Sequence, residues 1–141
     1  MTISKATAQW DGTLKAGKGV MRPAHAGEIG FTLGSRFEGK PGSNPEEILG
    51  AALAGCFSMA LSLALEQAGT APKSIHTSAD VHMASDNGAF VIDTIDLVTE
   101  VDAPGMDARK LEEIGKETKK RCPVGRALGG VGSINLTTKL K

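Results

Sequence analysis

The chain reads as an α+β protein, and three observations predict that class. Apolar and polar residues alternate with a period of two in separated segments, as in Ile75-Thr77-Ala79-Val81-Met83 and Ile134-Leu136-Thr138-Leu140. Between the first turns and the first of these segments lies an apolar run from Ile48 to Leu61, opened by Asn44-Pro45-Glu46-Glu47. Glycine pairs and Asx-Gly steps punctuate the rest. Strands therefore come first and last, expected to be antiparallel, with two or three helices between them. A length of 141 residues suits one domain over 1–141 with a core of its own.

The elements follow in order. Ala6, Ala8 and Trp10 alternate with Thr7 and Gln9, and Asp11-Gly12 marks a turn. Gly17-Lys18-Gly19 marks another, and Ile29 to Leu33 reads as a strand with Arg36-Phe37-Glu38-Gly39 just beyond it. Asn44 then caps a helix, Pro45 fits its first position, and Glu46 and Glu47 meet the positive end of the dipole. The helix should run from Pro45 to about Ala68 and stop at Gly69. Leu49, Ala52, Leu53, Cys56, Met59, Ala60 and Leu63 recur at helical spacing as its apolar face. Its small residues (Gly50, Ala51, Ala54, Gly55) invite close approach by another backbone.

Ile75 to Met83 is a half-buried strand, Asp86-Asn87-Gly88 a hairpin turn, and Phe90 to Val101 a long strand stopped by Pro104-Gly105. Asp107 caps a helix over Ala108–Lys120, with Leu111 and Ile114 inward and Glu112 paired to Lys116 outside. Cys122-Pro123 opens a short helix that Gly129-Gly130 closes, and Ser133–Leu140 is the final strand.

Composition excludes several classes. Lys plus Arg and Asp plus Glu number 16 each, so no net field favours nucleic acid or an anionic membrane. No stretch reads as a secretory signal or a bilayer span, which makes a cytoplasmic location the expectation. In that compartment two cysteines suggest redox or catalytic use rather than a permanent bridge. No zinc spacing is present: His76 and His82 fall on the wet face of a strand and His25 lies in a loop. Gly129-Gly130-Val131-Gly132 lacks the lysine and serine of a phosphate loop.

The chemistry therefore rests on Cys56 and Cys122. Cys56 lies at the middle of an apolar helix, about ten residues from the N-terminus and beyond help from the dipole. A thiolate there needs a cation delivered from elsewhere. Cys122 precedes Pro123 at the start of a short helix and follows Lys119-Lys120-Arg121, and both features favour its thiolate. Arg36, next to Phe37, is the candidate cation, with Arg22 a second choice, and Glu46 or Glu47 would hold it. Glu46 stands ten residues before Cys56, about 15 Å along a helix axis. Arg36 and Glu46 would more easily serve the Cys56 of a second, antiparallel copy, which points to a dimer. Read without this grouping, the same residues are two packing cysteines, a first-turn carboxylate and a solvated arginine.

The ordered set Asn44-Pro45-Glu46-Glu47, Ala54-Gly55-Cys56-Phe57-Ser58 and Cys122-Pro123-Val124 resembles the OsmC/Ohr family of thiol-dependent peroxidases. Gln9-Trp10-Asp11-Gly12 and Arg36-Phe37-Glu38-Gly39 resemble the OsmC branch more than the Ohr branch. The resemblance implies an intertwined homodimer whose sheets wrap around central helices, with two sites at the subunit interface. It implies that Cys56 is the peroxidatic and Cys122 the resolving cysteine, with Arg36 and Glu46 activating the thiolate. Gly125 departs from the pattern, standing where relatives often carry a small hydroxyl residue.

The expected reaction reduces organic hydroperoxides, and hydrogen peroxide less well, to alcohols or water. It runs through a Cys56 sulfenic acid and a Cys56–Cys122 disulfide. Phe37, Phe57 and Met59 are the expected pocket residues. No metal or bound cofactor is expected, and an external dithiol, for which the family suggests a lipoyl group, would reopen the disulfide. Two rival readings differ in kind: a non-catalytic dimeric binder of small hydrophobic molecules, and a redox-responsive interaction protein.

Overall fold

The computed structural model describes residues 1–141, which form two compact units, residues 1–48 and 49–141. In the first unit, β1 (Ala6–Asp11), β2 (Lys18–Pro23) and β3 (Ile29–Phe31) make a sheet of order β1-β2-β3. Both pairings are antiparallel. A helical turn, α1 (Leu33–Phe37), follows. The sequence extends β3 to Leu33, but Thr32 ends it: its hydroxyl accepts from the Ser35 amide at 3.0 Å, and Ser35 Oγ accepts from the Thr32 amide at 2.9 Å. This reciprocal cap turns the chain and fixes Arg36 in the last turn of α1.

α2 (Pro45–Gln67) starts where the sequence places it, with Asn44 Oδ1 accepting from the Glu47 amide at 2.9 Å. Beyond Ile48 it belongs to the second unit. The expected single apolar face needs correction. Leu53, Phe57, Leu61 and Leu65, spaced by four, are fully buried, whereas Ala52, Met59 and Leu63 are exposed. The helix is apolar all round, so periodicity could not choose the buried side. The expectation that no segment could span a bilayer also needs correction, since α2 is long and apolar enough by length and composition. Its leucine and phenylalanine stripe packs in the core of the second unit instead.

β4 (Ser74–Asp86) and β5 (Ala89–Asp102) form a long antiparallel hairpin. Its two-residue loop is Asn87-Gly88, both at positive φ (49° and 81°), as that turn demands. α3 (Ala108–Arg121) and the short α4 (Pro123–Ala127) lead to β6 (Ser133–Leu140). β6 pairs with β5 in parallel, not antiparallel as expected. A helical crossover reverses the chain between the two strands, and such a connection yields parallel neighbours.

The core of this unit joins the α2 stripe to Ile95, Leu97 and Val101 of β5, Leu111 of α3, and Cys122. Gly50 sets the approach of α2 to the sheet, because an added Cβ would meet Val81 Cγ2 at 3.1 Å. Under α2, Ser58 Oγ donates to Thr77 Oγ1 at 2.8 Å, and Thr77 and Thr99 share a 2.9 Å bond. Thr77 and Thr99 are register partners, so this hydroxyl chain anchors the helix to one row of the sheet.

Candidate active site

The second unit brings the two cysteines together. Cys56 sits mid-helix in α2, half-buried, one residue before the sealed Phe57. Cys122 lies at the junction where α3 ends and α4 begins, and it is only 1% exposed. The helix break positions it: the residue before a proline leaves the helical region, and Cys122 has φ −59° and ψ 119°. The Cys122 thiol donates to Cys56 Sγ at 2.9 Å, and both cysteines are free.

The expectation that the helix start would favour a Cys122 thiolate is overturned. Burial pushes its thiol up, and the hydrogen bond to Cys56 pushes the same way. The Gly125 and Val124 amides pull it down but do not prevail. Cys122 therefore holds its proton, and does so where it can donate it toward Cys56.

The first unit assembles the arginine and its carboxylate. Arg36 Nε donates to Glu46 Oε1 and Oε2 at 3.0 and 3.2 Å, and Nη2 donates to Oε1 at 2.6 Å. Glu46 is buried in the first turn of α2, and the guanidinium also lies 5.1 Å over the Phe37 ring. Glu46, not Glu47, is thus the arginine's partner; Glu47 accepts from Ser43 Oγ at 2.7 Å. Arg22, the second choice, is engaged by Glu28 at 2.6 Å in an exposed pair.

Of the three expected pocket residues, Phe37 is 40% exposed beside Arg36, Met59 is exposed on α2, and Phe57 is sealed in the core. Phe57 therefore packs and presents no surface to a ligand. His82 lies on the outer sheet face as expected, but it bonds Asp96 at 2.8 Å, and Asn135 Nδ2 donates to the other Asp96 oxygen at 2.7 Å. No group of histidine, cysteine and carboxylate side chains could hold a metal ion. Sequence reasoning missed the Ser58–Thr77–Thr99 chain, whose only signal was three hydroxyl residues at inward positions.

Comparison with known proteins identifies the family and the fold. The family described as OsmC-like protein matches residues 37–139. The chain is 45% identical to peroxiredoxin OsmC of Escherichia coli (strain K12) over 145 aligned residues, covering 100% of this chain and 99% of that protein. Among solved structures, the organic hydroperoxide resistance protein OhrB of Bacillus subtilis superposes with a TM-score of 0.75 at 22% identity, covering 99% of this chain and 98% of the other. An OsmC-like protein from Mycoplasma pneumoniae gives a TM-score of 0.76 at 19% identity, covering 99% and 97%. With a family match across most of its length and a full-length relative at this identity, the chain belongs to the OsmC family.

Proposed function

We propose that this chain is a thiol-dependent peroxidase that reduces organic hydroperoxides to alcohols, and hydrogen peroxide less well. The observation that carries the reading is the 2.9 Å approach of the Cys122 and Cys56 sulfurs. A two-cysteine peroxidase cycle, which ends in an intrachain disulfide, needs the second thiol within reach of the first, whereas two packing cysteines have no need to meet. The name of the relative at 45% identity, a peroxiredoxin, supports the same class.

In the proposed cycle the Cys56 thiolate attacks the distal oxygen of ROOH. The O–O bond breaks, RO⁻ takes a proton and leaves as ROH, and Cys56 becomes a sulfenic acid. Cys122 then attacks that sulfur. Its thiol proton joins the departing hydroxide, so one water leaves as the S–S bond forms. An external dithiol, such as a lipoyl group, is oxidised to its disulfide while both protein thiols return. Arg36 supplies positive charge to the thiolate and the developing alkoxide, and Glu46 orients it through the bonds described above.

We place the working unit as a homodimer. Ala52, Gly55, Met59 and Leu63 form an exposed small-residue and apolar stripe along α2, the kind of surface a second copy covers. Arg36 and Glu46 of one copy would then serve Cys56 of the other.

The test is to add one equivalent of cumene hydroperoxide to the reduced protein, count thiols and map the oxidised peptide. Rapid loss of both thiols with a Cys56–Cys122 link is expected, and Cys56→Ser should abolish peroxide consumption. Two intact thiols would end the peroxidase reading.

A further inference from the structure

The first unit holds a feature that the cysteine chemistry leaves unused. Trp10 of β1 is register partner to Gly19 of β2, and Gly19 is register partner to Phe31 of β3. The three residues form one row across the sheet and share a face. The missing side chain at Gly19 lets the two rings close over it: an added Cβ would meet Phe31 Cζ at 2.5 Å and Trp10 Cε3 at 2.7 Å. The ring centroids lie 5.5 Å apart, and Trp10 Nε1 donates to Gly12 O at 3.1 Å, which pins the indole. This aromatic floor is fixed before any ligand arrives.

Above it lies a cleft of about 270 Å³ lined by Trp10, Leu14, Phe31, Leu33, Phe37 and Arg36. Apart from Thr32, whose hydroxyl already accepts from the Ser35 amide, its walls are apolar or aromatic, and its one charged group is the arginine of the proposed mechanism. Both Arg36 nitrogens that bond within the chain go to Glu46, and Nη1 makes no such bond. The guanidinium thus keeps a free donor while lining an apolar cleft. Leu14, in the β1–β2 turn, is 66% exposed, far more than an apolar side chain needs for packing.

We propose that this cleft receives the organic group of the hydroperoxide, with Trp10 and Leu14 as specificity-determining residues and the peroxide group directed to Arg36. This rests on the peroxidase reading. The cleft lies at or below the lower end of the usual range for ligand sites, which begins near ~300 Å³. It therefore suits a compact aryl or branched alkyl group better than a long acyl chain.

Trp10 is the only tryptophan of the chain, so its fluorescence reports on the cleft alone. The test titrates the reduced full-length protein with 2-phenylpropan-2-ol, the alcohol that cumene hydroperoxide would yield, and follows Trp10 emission. A saturable change is expected, weakened about fivefold in Leu14→Gln by loss of one partial apolar contact. The ratio of kcat/KM for cumene hydroperoxide to that for hydrogen peroxide should fall by about the same factor in Leu14→Gln. Because Leu14 is an exposed turn residue, this variant keeps the fold.

No saturable change in Trp10 emission would overturn the proposal even if the protein consumes peroxide. So would an unchanged substrate ratio in Leu14→Gln. If the alcohol binds but cumene hydroperoxide leaves both thiols intact, the peroxidase reading fails, and the cleft is no substrate site but a site for small apolar molecules.

Discussion

Closing the Cys56–Cys122 bond should stabilise the second unit by a large and calculable amount. The two cysteines are 66 positions apart in sequence, and tying off a loop of that length removes about 4 kcal/mol of chain entropy from the unfolded state. The folded state resists little. The sulfurs stand 2.9 Å apart, against about 2.05 Å in a bond, so a small side-chain shift suffices. For 141 residues each kcal/mol moves Tm by about 3–5 °C, so the oxidised form should melt about 12–20 °C above the reduced form. Differential scanning calorimetry of peroxide-treated and dithiothreitol-reduced protein measures the difference, and Cys122→Ser under the same treatment should show none. A shift below about 3 °C, with the link verified by mass, would refute the claim that the folded state accepts the bond without strain.

Three further outcomes follow from the same geometry. Glu46→Gln removes the charge and turns an NH₂ toward an Arg36 donor, so it should cost about 1–2 kcal/mol in urea unfolding. It should also slow peroxide-driven Cys56 oxidation about tenfold or more; unchanged kinetics would mean that Glu46 does not orient the arginine. The raised Cys122 thiol implies an alkaline loss of stability in the reduced protein: as pH rises past about 9, the ordinary thiol value, the unfolded chain releases this proton first. Stability is then whole below that pH and falls as pH rises through the folded value, a slope that Cys122→Ala should flatten in pH-dependent urea melts. An added Cβ at Gly125 would meet Leu53, Lys119 O and Cys122 at 3.6–3.7 Å, which is ordinary contact. Gly125→Ala should therefore stabilise α4 by about 0.5–1 kcal/mol, and a lowered Tm would show that the space beside Cys122 must stay open.

Much of the molecule was legible from local signals. Asn44-Pro45 caps α2, Asp107 caps α3 through its bonds to the Arg109 and Lys110 amides, and Asn87-Gly88 makes the hairpin. Each is decided by a residue and its near neighbours, so a linear reading suffices. α1 escaped it because its signal is a Thr32–Ser35 cap in a run too short to show periodicity. The buried side of α2 escaped because alanine, glycine and leucine occupy every side of the helix, and only the position of β5 selects Leu53, Phe57, Leu61 and Leu65.

The sequence alone determined the chemical vocabulary: two cysteines, an arginine beside a phenylalanine, and a glutamate at a helix start. Their types and order carried the family resemblance. Tertiary structure decided which of them meet. It set the sulfurs at 2.9 Å, chose Glu46 over Glu47 for Arg36, and removed Phe57 from any ligand surface. It also reversed the expected state of Cys122, because the dipole of a short helix is a local effect while burial depends on the whole core. The parallel pairing of β6 has the same origin, since a strand's direction is set by the crossover that delivers it and not by its own residues.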